Sequence, residues 1–371
     1  MSTILEPRSR RLARFVRERF PLENLDPKHM IEKKEVPRHR MSWAYYMGGL
    51  ALFFLLVQIV TGLLLLFYYQ PTVSDAHASV ETISEYVSGG AWIRNLHAWS
   101  SSAMIATVIV HLFTTFAMKA FAAPRELTWV SGVSLALIVF GFGFTGYLLP
   151  WNQIAVNATK VGLQSVEAVG QYLPGEMAHW PTFVRETIQG EPSVGQATLS
   201  RFFAIHVIVL PLLTIAALGV HLMQVQLHGM SRGVDALKVK TEKFFPFFVI
   251  KDLSVWGVAF FVVAVVAMCL PFDSFLPFPL LEPYNPLGST PDGIKPEWYF
   301  FFVYYPLELL PYWAVIAAST LVLGALFLAP WIFARTTRRT LSALAIAAAL
   351  YFVVMTVFGH AIYDALKGGP P

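Results

Sequence analysis

Seven apolar stretches divide this chain, near 44–69, 92–118, 129–149, 202–225, 250–270, 312–333 and 341–362. Each is long enough to cross a hydrocarbon core of about 30 Å, which takes about 20 apolar residues in a helix. The expected fold is therefore an all-α integral membrane protein with seven transmembrane helices. Composition agrees, since only 13% of the residues are charged, against about 25% in soluble domains. Polar or Pro/Gly-rich loops separate the stretches, so one helical bundle is expected in place of several soluble domains.

Ten histidines occur. Four lie inside apolar stretches: His97 and His111 in the second, His206 and His221 in the fourth. An ionisable side chain within a membrane helix marks a functional site by default. One such histidine is as readily a hydrogen-bonding group between helices, but four in matched pairs need more explanation. The first pair is 14 positions apart and the second 15. Those intervals are about 21 and 22 Å of helical rise, returning within about 40° and 60° of the starting direction. Each pair thus lies on one helix face, near opposite membrane surfaces. Two such helices packed face to face offer two bis-histidine sites stacked across the bilayer. Heme iron takes two axial ligands and neutral imidazole suits it, so two hemes are expected.

Glycine repeats the interval: Gly48 and Gly62 in the first stretch and Gly132 and Gly146 in the third are each 14 apart. Glycine leaves room where the edge of a flat macrocycle passes. It is also common at membrane helix contacts without any cofactor, and only the shared interval ties it to the histidines.

Orientation follows from Lys and Arg. With the N-terminus inside, segments 1–43, 119–128, 226–251 and 334–340 share one side and carry 21 of the 27 basic residues. The positive-inside rule then puts the N-terminus on the cytoplasmic (or stromal) side and the C-terminus on the outer, periplasmic side. This asymmetry accounts for the net charge of +4 without nucleic acid as a partner. His97 and His206 become the outer pair, His111 and His221 the inner pair. Arg94 and Arg201 precede the outer histidines and are placed to hold heme propionates, with snorkelling to the interface as the alternative. Between Arg8 and Phe20, apolar Leu12, Phe15, Val16 and Phe20 alternate with arginines. That pattern fits a helix lying on the bilayer surface, the alternative being a disordered basic tail. No secretory signal pattern is read in this polar segment. Cys269 is the single cysteine, so neither a disulfide framework nor a C-x-x-C-H heme attachment is expected.

The stretches IRNLHAWSSS, TGYLLPW, RFFAIH and PEWYF together resemble cytochrome b of the quinol:cytochrome c oxidoreductase complexes, over roughly residues 36–365. The spacing of 15 and the seven stretches resemble the photosynthetic-type branch, whose four-span and three-span subunits are here fused, with the join near 230–246. PRELTWVSGV is similar to that branch too. The resemblance implies a four-helix diheme domain over 44–230, following the N-terminal segment 1–43, and a three-helix domain over 231–371 that carries the PEWYF loop. The chain departs from the branch at Tyr46, where a cysteine would hold an extra heme covalently, so a covalently attached third heme is not expected. Lys251-Asp252 in VIKDL is closer to the mitochondrial-type inner quinone site.

Further expectations come with the resemblance. The chain would be the catalytic subunit of a quinol-oxidising, proton-translocating complex in a bacterial inner membrane, as a homodimer with a c-type cytochrome. The second electron acceptor would be a Rieske iron–sulfur protein, because one cysteine cannot hold a cluster. Within the outer loop 271–311, Glu297 would bind the quinol hydroxyl and relay its proton. A carboxyl in an apolar pocket has a raised pKa suited to that task, although an interfacial Glu beside aromatic anchors gives the same pattern. Tyr147 and Tyr299 are candidates for the same pocket. Asp252, Lys251 and His228 are candidates for the inner quinone site, the alternative being an interface anchor. A diheme anchor for a dehydrogenase or hydrogenase would need no PEWYF loop, and a transporter with structural histidines would need no heme.

Overall fold

The computed structural model of the protein describes residues 8–26, 34–231, 240–272, 282–288 and 294–368. Parts of the N-terminal segment, the expected join and the expected outer loop fall outside them. The described chain is almost wholly helical. In order it forms α1 (Arg8–Arg19), α2 (Tyr46–Leu66), α3 (Ala76–Glu85), α4 (Gly90–Ala117), α5 (Glu126–Leu148), α6 (Gln153–Glu167) and α7 (Trp180–Gln189). There follow α8 (Gln196–Ala204), α9 (Leu210–His228), α10 (Val249–Cys269), α11 (Phe301–Leu309), α12 (Tyr312–Phe327), α13 (Ala329–Ile332) and α14 (Arg338–Lys367). Two short strands, β1 (Glu35–Arg38) and β2 (Lys240–Lys243), pair antiparallel with Glu35 opposite Lys243.

Among the described residues, 6 helical runs are long and apolar enough to cross a membrane: Ser42–Leu66, Gly90–Ala117, Glu126–Leu148, Gln196–His228, Phe244–Cys269 and Arg338–Lys367. Their outward faces are apolar, with Ile215, Phe261 and Val357 at 67%, 69% and 63% exposure. Water would not favour such a surface, and a lipid environment does. The chain is a multi-pass membrane protein.

The stretch expected to span over 312–333 is broken. α12 has 16 residues, about 24 Å of rise, and the chain leaves regular helix at Leu328 before α13. Pro330 has no N–H for the Leu326 carbonyl four residues back, and its ring crowds that oxygen. The Leu326 oxygen instead accepts the Trp129 indole N–H at 2.6 Å.

α2 packs along α4, and α5 along α9. α8 and α9 form one continuous rod, joined by a π-turn at Ile205–Val209 that contains His206. A π-turn holds one residue more than an α-turn. The interval of 15 on this rod therefore matches 14 on α4, and the unequal spacings meet at equal heights.

The basic segments gather at one end of the bundle. Arg19 donates to the Glu126 carboxylate. β1 pairs with β2, and Lys119 Nζ donates to the carbonyls of Ala334 (2.7 Å) and Thr336 (2.9 Å). α1 is a helix, as one of its two sequence readings has it, with Phe15 and Val16 exposed. At the other end, α6 and α7 cover a buried cluster that includes Leu148, Trp151, Val156, Leu199 and Phe202.

Candidate functional site

The four membrane histidines lie between helices, and each ring sits over a glycine of the helix opposite. A β-carbon at Gly48 would lie 3.3 Å from His111 Cε1, and one at Gly62 would lie 3.4 Å from His97 Cε1. At Gly132 it would lie 3.1 Å from His221 Cε1, and at Gly146 only 2.7 Å from His206 Cε1. The glycines thus make room for the imidazoles as well as for anything bound between them. His97 lies within electrostatic reach of His206, and His111 of His221. The outer and inner pairs anticipated from the intervals come together.

The residue before three of the four glycines supplies what the sequence reading missed. Thr61 Oγ1 meets His97 Nδ1 at 2.8 Å, Ser131 Oγ meets His221 Nδ1 at 3.1 Å, and Thr145 Oγ1 meets His206 Nδ1 at 3.1 Å. Each hydroxyl spends its own proton on a carbonyl of its helix, Val57, Thr128 or Gly141. It can therefore only accept at the histidine, so Nδ1 carries the hydrogen and the Nε2 lone pair stays free. Such a partner on the second nitrogen is what orients a metal-ligating imidazole. Four imidazoles in two facing pairs, with glycine opposite each, are a donor set that fits two hemes. The Ser/Thr-Gly dipeptides were visible in the sequence, but their reach to Nδ1 depends on how the helices pack.

Arg94 lies on α4 just ahead of His97. Arg201 is engaged elsewhere: its guanidinium donates to the carbonyls of Thr187 and Glu186 (3.3 Å for the latter), at the C-terminal turn of α7.

Glu297, Tyr147 and Tyr299 converge. Both phenols lie within electrostatic reach of the Glu297 carboxyl, and Tyr299 within reach of Tyr147. Tyr147 directly follows the Gly146 that faces His206, so this cluster adjoins the outer pair. Burial pushes the Glu297 carboxyl up to about 7. Tyr299 is 4% exposed, and its ring packs edge-on to Phe140 at 5.9 Å. Its hydroxyl lies where any side chain at Gly143 would have to go. Burial and the neighbouring Glu297 hold that phenol protonated.

At the other end, Asp252 turns its carboxyl onto Gly49, where a β-carbon would lie 2.8 Å from Oδ1. Aromatic layers flank that contact. Tyr46 stacks on Phe248 (4.9 Å, 4°) on one side, and Phe53 meets Trp256 (5.4 Å, 33°) on the other. Asp252 and Trp256 are side-chain partners, with Asp252 Oδ1 and Trp256 Nε1 both shielded from solvent. The other two inner candidates are occupied elsewhere. Lys251 Nζ pairs with Glu242 at 2.6 Å. His228 faces the carbonyls of Gln224 (3.1 Å) and Glu18 (3.2 Å), which ties it to α1. Asp252 depends on the packing of α2 against α10, which no local motif encodes.

The chain is similar to known proteins along most of its length. A family model described as Cytochrome b/b6/petB matches residues 31–229, and one described as Cytochrome b(C-terminal)/b6/petD matches 283–366. A cytochrome bc complex cytochrome b subunit of Chlorobaculum thiosulfatiphilum is 45% identical over 274 residues, 73% of this chain. The chain spans 60% of the length of that relative. Cytochrome b6 of Chlamydomonas reinhardtii is 41% identical over 201 residues, 54% of this chain and 89% of that protein. Among solved structures, a chain of a hyperthermophilic respiratory Complex III is similar with a TM-score of 0.75 and 26% identity. That match covers 95% of this chain and 97% of the other. Fold and tandem matches define an integral membrane protein of the cytochrome bc type. The chain belongs to the cytochrome b family, as a member in which the b6-type N-terminal part and its C-terminal companion are fused. Proteins of this family bind heme b.

Proposed function

We propose that this chain is the catalytic membrane subunit of a quinol:cytochrome c (or plastocyanin-like acceptor) oxidoreductase. It oxidises quinol at an outer site, reduces quinone at an inner one, and so contributes to proton translocation. His97 with His206 hold the outer heme, and His111 with His221 the inner. Bound there, the two hemes supply one-electron carriers linking the outer and inner sites. No third, covalent heme is part of this reading, since Tyr46 offers no thiol. Four spans (α2, α4, α5 and α8–α9) form the diheme domain over 44–230. Three more helices over 231–371, α12 included, complete seven crossings.

The observation that carries the proposal is the Glu297–Tyr147–Tyr299 cluster beside the outer histidine pair. Oxidising a quinol releases two protons, and a carboxyl poised near neutral pH can take one and pass it on. The phenols donate hydrogen bonds and orient the ring. At the inner end, the Asp252 carboxyl between two aromatic layers suits a flat quinone head whose oxygens need a proton donor. Lys251 and His228 contribute to that end through β2 and α1. Arg94 is the propionate partner at the outer heme, with Arg201 fixing the loop beside it. A Rieske iron–sulfur protein, a c-type cytochrome and a second copy of the chain complete the assembly. It would sit in a bacterial inner membrane with the N-terminus inside.

The test is Glu297→Gln, assayed by quinol-dependent reduction of a c-type cytochrome across pH. A base must be ionised to accept a proton. Wild-type turnover therefore rises as pH climbs from near the ordinary carboxyl value of 4.5 through about 7, and levels above it. The variant loses that limb and about 10²-fold in rate, the usual scale for a lost general base. Unchanged turnover, quinol affinity and pH profile would remove Glu297 from the outer site.

A further inference from the structure

The glycine-facing arrangement has one exception. Thr61-Gly62, Ser131-Gly132 and Thr145-Gly146 each give their histidine an Nδ1 acceptor. The fourth dipeptide is Met47-Gly48, and thioether sulfur is only a weak acceptor. The ring it faces is His111, whose Nδ1 is buried with no hydrogen-bond partner among the described residues. Gly48 lies against His111 Cε1 at 3.3 Å, close to the 3.4 Å of Gly62 against His97. Position 47 thus stands to His111 much as position 61 stands to His97; what differs is the side chain.

We infer that Met47 sets the redox balance between the two heme sites by withholding a hydrogen bond from His111. The inference rests on the proposed ligation. An acceptor on Nδ1–H makes an imidazole a stronger donor to its metal, which favours the oxidised iron and lowers its potential. Both outer ligands have such an acceptor, Thr61 and Thr145. In the inner pair only His221 does, through Ser131 and the Thr128 carbonyl at 3.0 Å. The inner site is left with the higher potential. That is the direction required if electrons are to leave the outer site for the inner one. Thr128 and Ser131 give His221 two acceptors on one nitrogen, so the asymmetry resides in His111 alone.

The experiment is a potentiometric titration of the purified full-length protein, following the two b-type absorbance bands. Met47→Thr and Met47→Ser each supply an acceptor, and Met47→Val fills the position without one. Hydrogen bonds of this kind contribute about 1 kcal/mol, or about fivefold in an equilibrium constant. For one electron at 59 mV per decade the shift is about 40 mV. The inner midpoint should fall by that amount in the Thr or Ser variant and stay in place in the Val variant. Thr61→Val should move the outer midpoint the opposite way. The inference is overturned if neither hydroxyl variant lowers the inner midpoint, or if Val lowers it as much. Absence of b-type bands from the wild-type protein would instead refute the heme ligation beneath it.

Discussion

A methyl group is the smallest change that the histidine–glycine contacts can register, and the four contacts are not equally tight. Gly146→Ala puts a β-carbon 2.7 Å from His206 Cε1, closer than such atoms approach, whereas Gly62→Ala meets His97 at 3.4 Å. Overpacking of that kind costs about 1–3 kcal/mol. Gly146→Ala should lose outer-site heme, read as heme per protein and as the outer band in the reduced-minus-oxidised spectrum. Gly62→Ala should keep it. Equal heme in both variants would mean that α5 shifts freely away from His206. Histidine and glycine were readable in advance because a membrane helix converts interval into direction. Arg201 was not, since its partner carbonyls belong to the end of α7 and no interval predicts them. Nor was Gly49, whose need to be glycine appears only once Asp252 lies against it.

α1 is held by its last residue. Arg19 reaches back over the Phe15 ring, 3.6 Å to the centroid, and pairs with Glu126 at the head of α5. Both side chains are about nine-tenths buried, at 11% and 10% exposure. Removing one partner from a buried pair strands the other, at about 3–5 kcal/mol. Arg19→Ala should therefore release α1, read as faster proteolysis in the segment before residue 26, with the heme spectrum retained. If α1 stays protected, its exposed Phe15 and Val16 hold it to detergent or lipid instead. Apolar runs located the six described spanning helices within a few residues, but they did not mark α3, α6, α7 or α11, which carry no run of that length. Nor did they locate the break at Leu328, because the apolar run passes through Pro330 unbroken and only Trp129, from α5, shows where the freed carbonyl goes.

The basic segments meet at one end of the bundle, and the Glu297 cluster lies toward the other. Cys269 closes α10 at that second end and is exposed. As the single cysteine it is a clean reporter of sidedness. A membrane-impermeant maleimide should label it from outside in right-side-out vesicles and not in inverted ones; the reverse pattern would turn the proposed orientation over. Cys269→Ser supplies the blank. The π-turn at Ile205–Val209 bears on tolerance of an extra residue as well as on geometry. A surplus peptide unit is absorbed within a single loop of helix, so the ligands above and below it need not move. Along the chain the interval from His206 to His221 is one residue longer than that from His97 to His111, while in space the rungs of the ladder remain level. A rod shortened by that surplus unit would be expected to keep the same two histidine pairs face to face.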